Sequence, residues 1–399
     1  MLGLVLFTAS SLAGGLANTP GLLIAARAVQ GLGAAVLAPA TLTILTTTFP
    51  EGAARTRAVA TWTAVSSAGG AAGNLIGGVL TESLSWRWIL LINVPIGALA
   101  TLVALPLLAS DSARERSRRL DVPGAVLATL GVSALTYGIS QIESRGWSNL
   151  VTMVAIAVGA AALVSFVAVE ASWARAPLMP PRLFRIRAIS AGNTVMLLAG
   201  ACFIPMWYFL SLYMQNVLHF GALQTGLGFL PHTVIGVAGS RLAPRIMEHI
   251  GARKLILTSS LVSGLGFLWQ SGVTPDSGYL SGLLGPGIVM SAGMGLLITP
   301  ITTTVTSGIS EEDAGAASGL MNATRQIGGS LGLAVLVAIS SSQMHTPAVL
   351  SADYSHAFFA MAVILVGVTA GALALPSARQ ATSSPPSAAR ESEQQQGAG

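Results

Sequence analysis

Long apolar runs recur from one end of the chain to the other, separated by short polar stretches that hold most of the arginines and many of the prolines. At 1.5 Å per residue, about 20 apolar residues in a helix cross a hydrocarbon layer roughly 30 Å thick. The pattern predicts twelve spans, near residues 2–17, 20–48, 57–81, 88–109, 122–142, 149–170, 188–217, 221–243, 253–273, 279–307, 313–344 and 355–376. No strand-like alternation competes with them, so the predicted fold class is all-α, an integral membrane protein.

Composition agrees with that pattern. Of 399 residues, 52% are hydrophobic, 9% are charged and 45 are glycine, a balance that cannot clothe a soluble domain in polar surface. Basic residues outnumber acidic ones by 20 to 15, yet they sit between the apolar runs, where they orient helices rather than bind nucleic acid. With Met1 on the cytoplasmic side, Arg55, Arg57, Arg114, Arg116, Arg118 and Arg119 fall inside, as do Arg175, Arg182, Arg185 and Arg187. Arg241, Arg245, Arg253, Lys254, Arg379 and Arg390 follow the same side, and only Arg87 and Arg145 fall outside. The alternation supports both the number of spans and their direction, with both termini cytoplasmic. The single cysteine, Cys202, lies inside an apolar segment, which excludes a disulfide framework and a thiolate metal site. Neither a metal nor a cofactor is expected.

Candidate chemistry lies where polar residues interrupt the apolar runs. Arg27, Gln30 and Gly31 share a helix face at i, i+3 and i+4, and a guanidinium in hydrocarbon marks a functional position. That face is expected to look inward, with Gly31 admitting a neighbouring helix. The stretch Leu23-x-x-x-Arg27-x-x-Gln30-Gly31-x-Gly33-Ala34-Ala35 resembles the fourth-helix signature of the major facilitator superfamily. The glycines of Gly69-x-x-x-Gly73-Asn74-x-x-Gly77-Gly78 provide close packing and room to bend. They resemble the antiporter motif of that superfamily's drug exporters, with Asn74 where the family has proline. Trp86-Arg87-Trp88 and Asn93-Val94-Pro95-Ile96-Gly97 follow at an interface suited to tryptophan anchors.

Further along, Trp207, Tyr208, Tyr213 and Gln215 cluster near the outer end of one span, as an interfacial aromatic belt or as the wall of a substrate cavity. His232 lies within the next span, as a hydrogen-bonded structural residue or a proton carrier. Gly239 to Lys254 resembles a degraded copy of the superfamily's loop motif, with Pro244 replacing its aspartate. Asn322, Arg325 and Gln326 again share one face, with Arg325 near mid-membrane, about 20 Å from the acidic loop at Glu311. They are expected to line a cavity or to tie two helices together.

The resemblance extends to organisation. Superfamily members consist of two six-helix halves, each a pair of inverted three-helix repeats about a central cavity. Here residues 41–51, TLTILTTTFPE, echo residues 301–311, ITTTVTSGISE. Four spans, an inserted two and a final six match the fourteen-helix drug:proton antiporter family with its first two helices absent. The expected divisions are 1–109, a partial N-terminal half; 110–187, an inserted helix pair with basic linkers; 188–376, the C-terminal half; and 377–399, a disordered tail. The resemblance implies proton-coupled efflux of hydrophobic, often cationic drugs or antibiotics across the plasma membrane by alternating access. It implies a monomer that needs the lipid bilayer, protons and a small substrate, with the proton gradient as energy source and no nucleic acid. An intramembrane enzyme is not expected, because no cluster of catalytic residues occurs in the spans. The alternative is a truncated, transport-inactive member of the same family. Every carboxylate maps to a loop, a span end or the tail, which leaves His232 as the only group titrating near neutrality well inside a span. In the resembled family the proton-carrying acid lies on the absent first helix, so the chain as written is expected not to couple export to protons.

Overall fold

A computed structural model describes residues 1–107, 121–172, 181–307, 309, 311–340 and 347–376. Arg114, Arg116, Arg118, Arg119, Arg175, Arg379 and Arg390 lie outside the described residues. The first helices are α1 (Leu2–Gly15), α2 (Pro20–Thr48), α3 (Ala53–Ser83), α4 (Trp88–Leu91) and α5 (Asn93–Leu107). Next come α6 (Val122–Arg145), α7 (Leu150–Ser172) and α8 (Pro181–Phe184). The remainder comprises α9 (Arg187–Asn216), α10 (Ala222–Gly228), α11 (Leu230–Ile250), α12 (Ala252–Gln270), α13 (Gly285–Thr306), α14 (Glu311–Ser340) and α15 (Pro347–Ala372). A π-helical turn over Tyr279–Leu284 leads into α13.

Helix occupies each of the twelve expected spans, and among the described residues eight stretches are long and apolar enough to cross a membrane. The other four fall short for physical reasons. With 14 residues, α1 reaches only about 21 Å. The other three, α3, α11 and α12, bring polar residues to helix contacts, such as the buried Thr63, Ser240, Ser259 and Ser263.

Local signals set most of the boundaries. Thr19 caps α2 by accepting from the Leu22 amide at 3.3 Å, with Pro20 at the first turn. Asp121 caps α6 in the same way, at 2.9 Å from the Gly124 amide. The stretch expected to form a basic loop between Arg241 and Lys254 is instead helical on both sides of one residue, Gly251, whose φ of +81° permits the reversal.

The packing is built on the C-terminal helices. Tyr213, Phe209, Phe267 and Phe358 are fully buried in one cluster with Met206, Met290 and Leu297. Leu42 of α2 reaches the same cluster. The chain's first five helices meet the C-terminal group where α3 packs on α10, α11 and α13, and where α2 packs on α14. The two threonine-rich segments noted in the sequence both end helices and face one cleft, through Thr46, Thr47 and Thr306. A hairpin of α6 and α7 packs on itself and on α14. Its outer side chains, including Leu150, Val164 and Val167, are exposed, which hydrocarbon tolerates and water does not.

Candidate functional site

Between α3 and the C-terminal helices lies a cavity of about 210 Å³, open on part of its surface. The α3 wall supplies Trp62, Thr63 and Ser66; α9 supplies Phe203, Met206 and Trp207. Opposite them stand His232, Thr233, Gly236 and Ser240 of α11, with Ser291, Met294, Gly295 and Ile298 of α13. Among the described residues of the wall, only Arg325 of α14 adds a permanent charge. This is an apolar and aromatic chamber with a few fixed polar points, the usual construction of a small-molecule site.

Each polar point has a structural cause. Arg325 reaches the cavity because Gly200 on α9 lets the α14 backbone come close: a Cβ at that position would overlap the Arg325 carbonyl oxygen. Its Nη2 donates to Asn322 Oδ1 at 3.2 Å. His232 is buried, with Nδ1 donating to the Gly228 carbonyl at 3.1 Å. A carbonyl can only accept, so in the neutral ring Nε2 carries no hydrogen. That atom lies over Gly287, without a hydrogen bond among the described residues. Tyr279 donates to the same Gly228 carbonyl at 2.8 Å, fixing the start of α11 beside the cavity. Trp207 packs edge-on against Phe229, ring centroids 5.1 Å apart, and Trp62 donates from Nε1 to Thr41 Oγ1 at 3.3 Å.

The candidates from the sequence divide between this cavity and other places. Arg325, His232 and Trp207 line it, with Asn322 in support. Gln326 is exposed and belongs to another face, because one residue turns the helix by about 100°. Tyr208 is 42% exposed, and Gln215 bonds to Ser211 on the same helix. The Tyr213 hydroxyl donates to the carbonyls of Thr274 and Ser277 at 3.2 and 3.4 Å, a structural role outside the cavity.

The α2 motif also differs from its expected arrangement. The buried stripe runs through Ala26, Gln30 and Gly33, so Arg27 and Gly31 flank it. Arg27 Nη1 donates to Gln30 Oε1 at 2.6 Å, and Gln30 Nε2 donates to Ser11 Oγ at 2.6 Å. Ser11 in turn donates to the Phe7 carbonyl at 2.8 Å. The close approach of α1 occurs at Gly33, where a Cβ would stand 2.7 Å from the Phe7 amide nitrogen, whereas Gly31 has open space around it. On α3, Gly69 and Gly73 also face open space, and Gly77 meets only Ile89. Gly78 is the position where a neighbour closes in, with the Ala222 carbonyl 2.6 Å from a would-be Cβ. The Asn74 side chain lies outside the described residues.

Sequence reasoning missed Trp62, Ser66, Ser240 and Ser291. Their only signal is small hydroxyls and one indole inside otherwise apolar runs, which helix packing produces equally often.

The profile of the Major Facilitator Superfamily matches residues 1–333. Among curated proteins, the chain is similar to the cephamycin export protein CmcT of Amycolatopsis lactamdurans, at 51% identity over 383 residues, covering 95% of this chain and 79% of that one. It is also similar to the puromycin resistance protein pur8 of Streptomyces alboniger, at 36% identity over 342 residues, covering 85% and 67%. Its fold is like that of the E. coli fucose:proton symporter FucP, with a TM-score of 0.51 at 12% identity, over 94% of this chain and 83% of the other. A profile match over most of the chain, close relatives and a shared helical fold agree: the chain belongs to the Major Facilitator Superfamily.

Proposed function

We propose that this protein exports hydrophobic, drug-like molecules, antibiotics among them, across the plasma membrane by alternating access, with inward proton flow as the energy source. The observation that carries the proposal is the cavity itself, whose walls come from α3 on one side and from α9, α11, α13 and α14 on the other. Rocking these two groups would expose the same chamber first to one side of the membrane and then to the other. The named activities of the relatives, cephamycin export and puromycin resistance, support the substrate class. Among the described cavity residues His232 is the one side chain that titrates near neutral pH in its unperturbed state, which supports it as the proton site in place of the acid that the family resemblance puts on the absent helix, and so supports a chain that couples as it stands. Arg57, Arg241 and Arg245 line one polar pocket, which supports assigning them to a common, cytoplasmic face. The chain acts as a monomer, and its work requires no covalent chemistry.

The test is accumulation in everted vesicles from a host that expresses the chain. Expected is uptake of puromycin or a cephamycin on imposing an inward-acid gradient, lost when the gradient is collapsed. Equal uptake by vesicles with and without the protein, across a panel of antibiotics, would remove the proposal.

A further inference from the structure

The charge of the cavity carries an inference about which molecules enter it, and it rests on the reading of the cavity as a substrate chamber. Every ionisable side chain on the described cavity wall is a base: Arg325 is a permanent cation and His232 is neutral or positive. No carboxylate lines the cavity among the described residues. The ion pairs Arg55–Glu51, Arg57–Glu248 and Arg182–Asp313 lie elsewhere. Among the described residues the guanidinium has one neutral acceptor, Asn322, for its five donor hydrogens.

The hydroxyls point the same way. Thr63, Ser66, Thr233 and Ser240 commit their protons to backbone carbonyls at 2.9 to 3.2 Å. Ser291 does not: it is 4% exposed and its Oγ has no hydrogen-bond partner among the described residues. A buried hydroxyl and a half-buried guanidinium with no anion beside it among the described residues both gain from a ligand that accepts. A cationic ligand would instead meet a like charge in a partly desolvated space.

We propose that the cavity selects amphipathic anions, molecules with an aromatic or aliphatic body and a carboxylate or similar acid. The acid pairs with Arg325 and accepts from Ser291, while the body lies against Trp207, Phe203 and Met294. This reverses the cationic preference expected from family resemblance.

Three probes that share one ring system separate charge from hydrophobicity: 2-naphthylacetate, its methyl ester, and (2-naphthylmethyl)trimethylammonium. Their binding to the full chain is measured by equilibrium dialysis at pH 7.5, in nanodiscs of zwitterionic phosphatidylcholine. Expected is at least about tenfold tighter binding of the acid than of the cation. Arg325→Gln should collapse that ratio to near one, with an unfolding midpoint close to wild type showing that the variant is folded. Arg325→Lys should keep part of the preference, since it retains charge but not the guanidinium fork. Equal or tighter binding of the cation, a ratio that survives Arg325→Gln, or no binding of any probe would each overturn the proposal. Uptake by everted vesicles distinguishes the two readings: charge-selective binding without transport defeats export alone, and transport without charge selectivity defeats this proposal alone.

Discussion

Gln30 and Ser11 are joined across the α1–α2 contact by a 2.6 Å hydrogen bond, and Gln30 simultaneously accepts from Arg27 at 2.6 Å. The glutamine is 4% exposed and the serine is fully buried, so the amide relays a surface guanidinium into a helix interface. Gln30→Leu breaks both bonds at once. Hydrogen bonds between membrane helices contribute about 0.6 kcal/mol on average and up to about 1.7, and a loss in that range is expected in the thermal unfolding of detergent-solubilised protein. Arg27→Lys, with the charge kept and the planar fork removed, should lower efflux at matched expression. Normal efflux by Arg27→Ala would take Arg27 out of the transport cycle.

The two glycines of the same motif should behave in opposite ways. Gly33→Ala places a methyl group 2.7 Å from the Phe7 nitrogen and 2.9 Å from the Gly3 oxygen, an overpacking that costs about 1 to 3 kcal/mol. Gly31→Ala meets nothing within 4 Å and should stay within about 0.5 kcal/mol of wild type. Unfolding midpoints of the two variants, measured side by side, decide the matter; the reverse order would place the contact at the wrong turn.

Among the aromatic residues of α9, only those that line the cavity, Phe203 and Trp207, should matter to substrate. Trp207→Ala opens the wall and removes the contact with Phe229, and drug accumulation in cells should rise severalfold. Tyr208→Ala, at a side chain 42% exposed, should leave accumulation unchanged. Equal effects from both would indicate an interfacial belt instead of a substrate wall.

The proposed proton coupling rests on His232, the one group among the described cavity residues that titrates near neutral pH when unperturbed. His232→Gln keeps a polar, uncharged side chain but cannot bind a proton near neutral pH. Vesicles carrying it should retain probe binding and lose drug-induced proton release under an imposed gradient. Undiminished release by this variant would assign the coupling to another group.

Helix existence was legible in the sequence because it depends on runs of apolar residues, which are local. Even the polar interruptions were legible as positions of interest: Arg325, His232 and Trp207 all reach one chamber. What the sequence could not reveal was azimuth. A shift of one residue turns a side chain by about 100°, so Gln326 faces away from Arg325's cavity and Gly31 lies beside the contact that Gly33 makes. Motif spacing alone cannot separate such neighbours, since only the partner helix decides which of two adjacent faces is buried. The serines were missed for a related reason: Ser240 bonds to the Gly295 carbonyl at 3.2 Å on another helix, and nothing in its own neighbourhood foretells that partner.

The single residue at Gly251 between α11 and α12 has a mechanical consequence. A hinge this short leaves no slack, so the two helices form an elbow whose arms must tilt together. His232 stands 19 positions before Gly251, a lever arm of about 28 Å. Pivoting that arm by about 10° displaces the imidazole by about 5 Å on that arm length, more than the breadth of a water molecule. On the proposed alternating-access reading, a small angular change at the basic end of the elbow would carry one cavity wall with it, Pro244 within the arm being the one place where the helix can bend on the way.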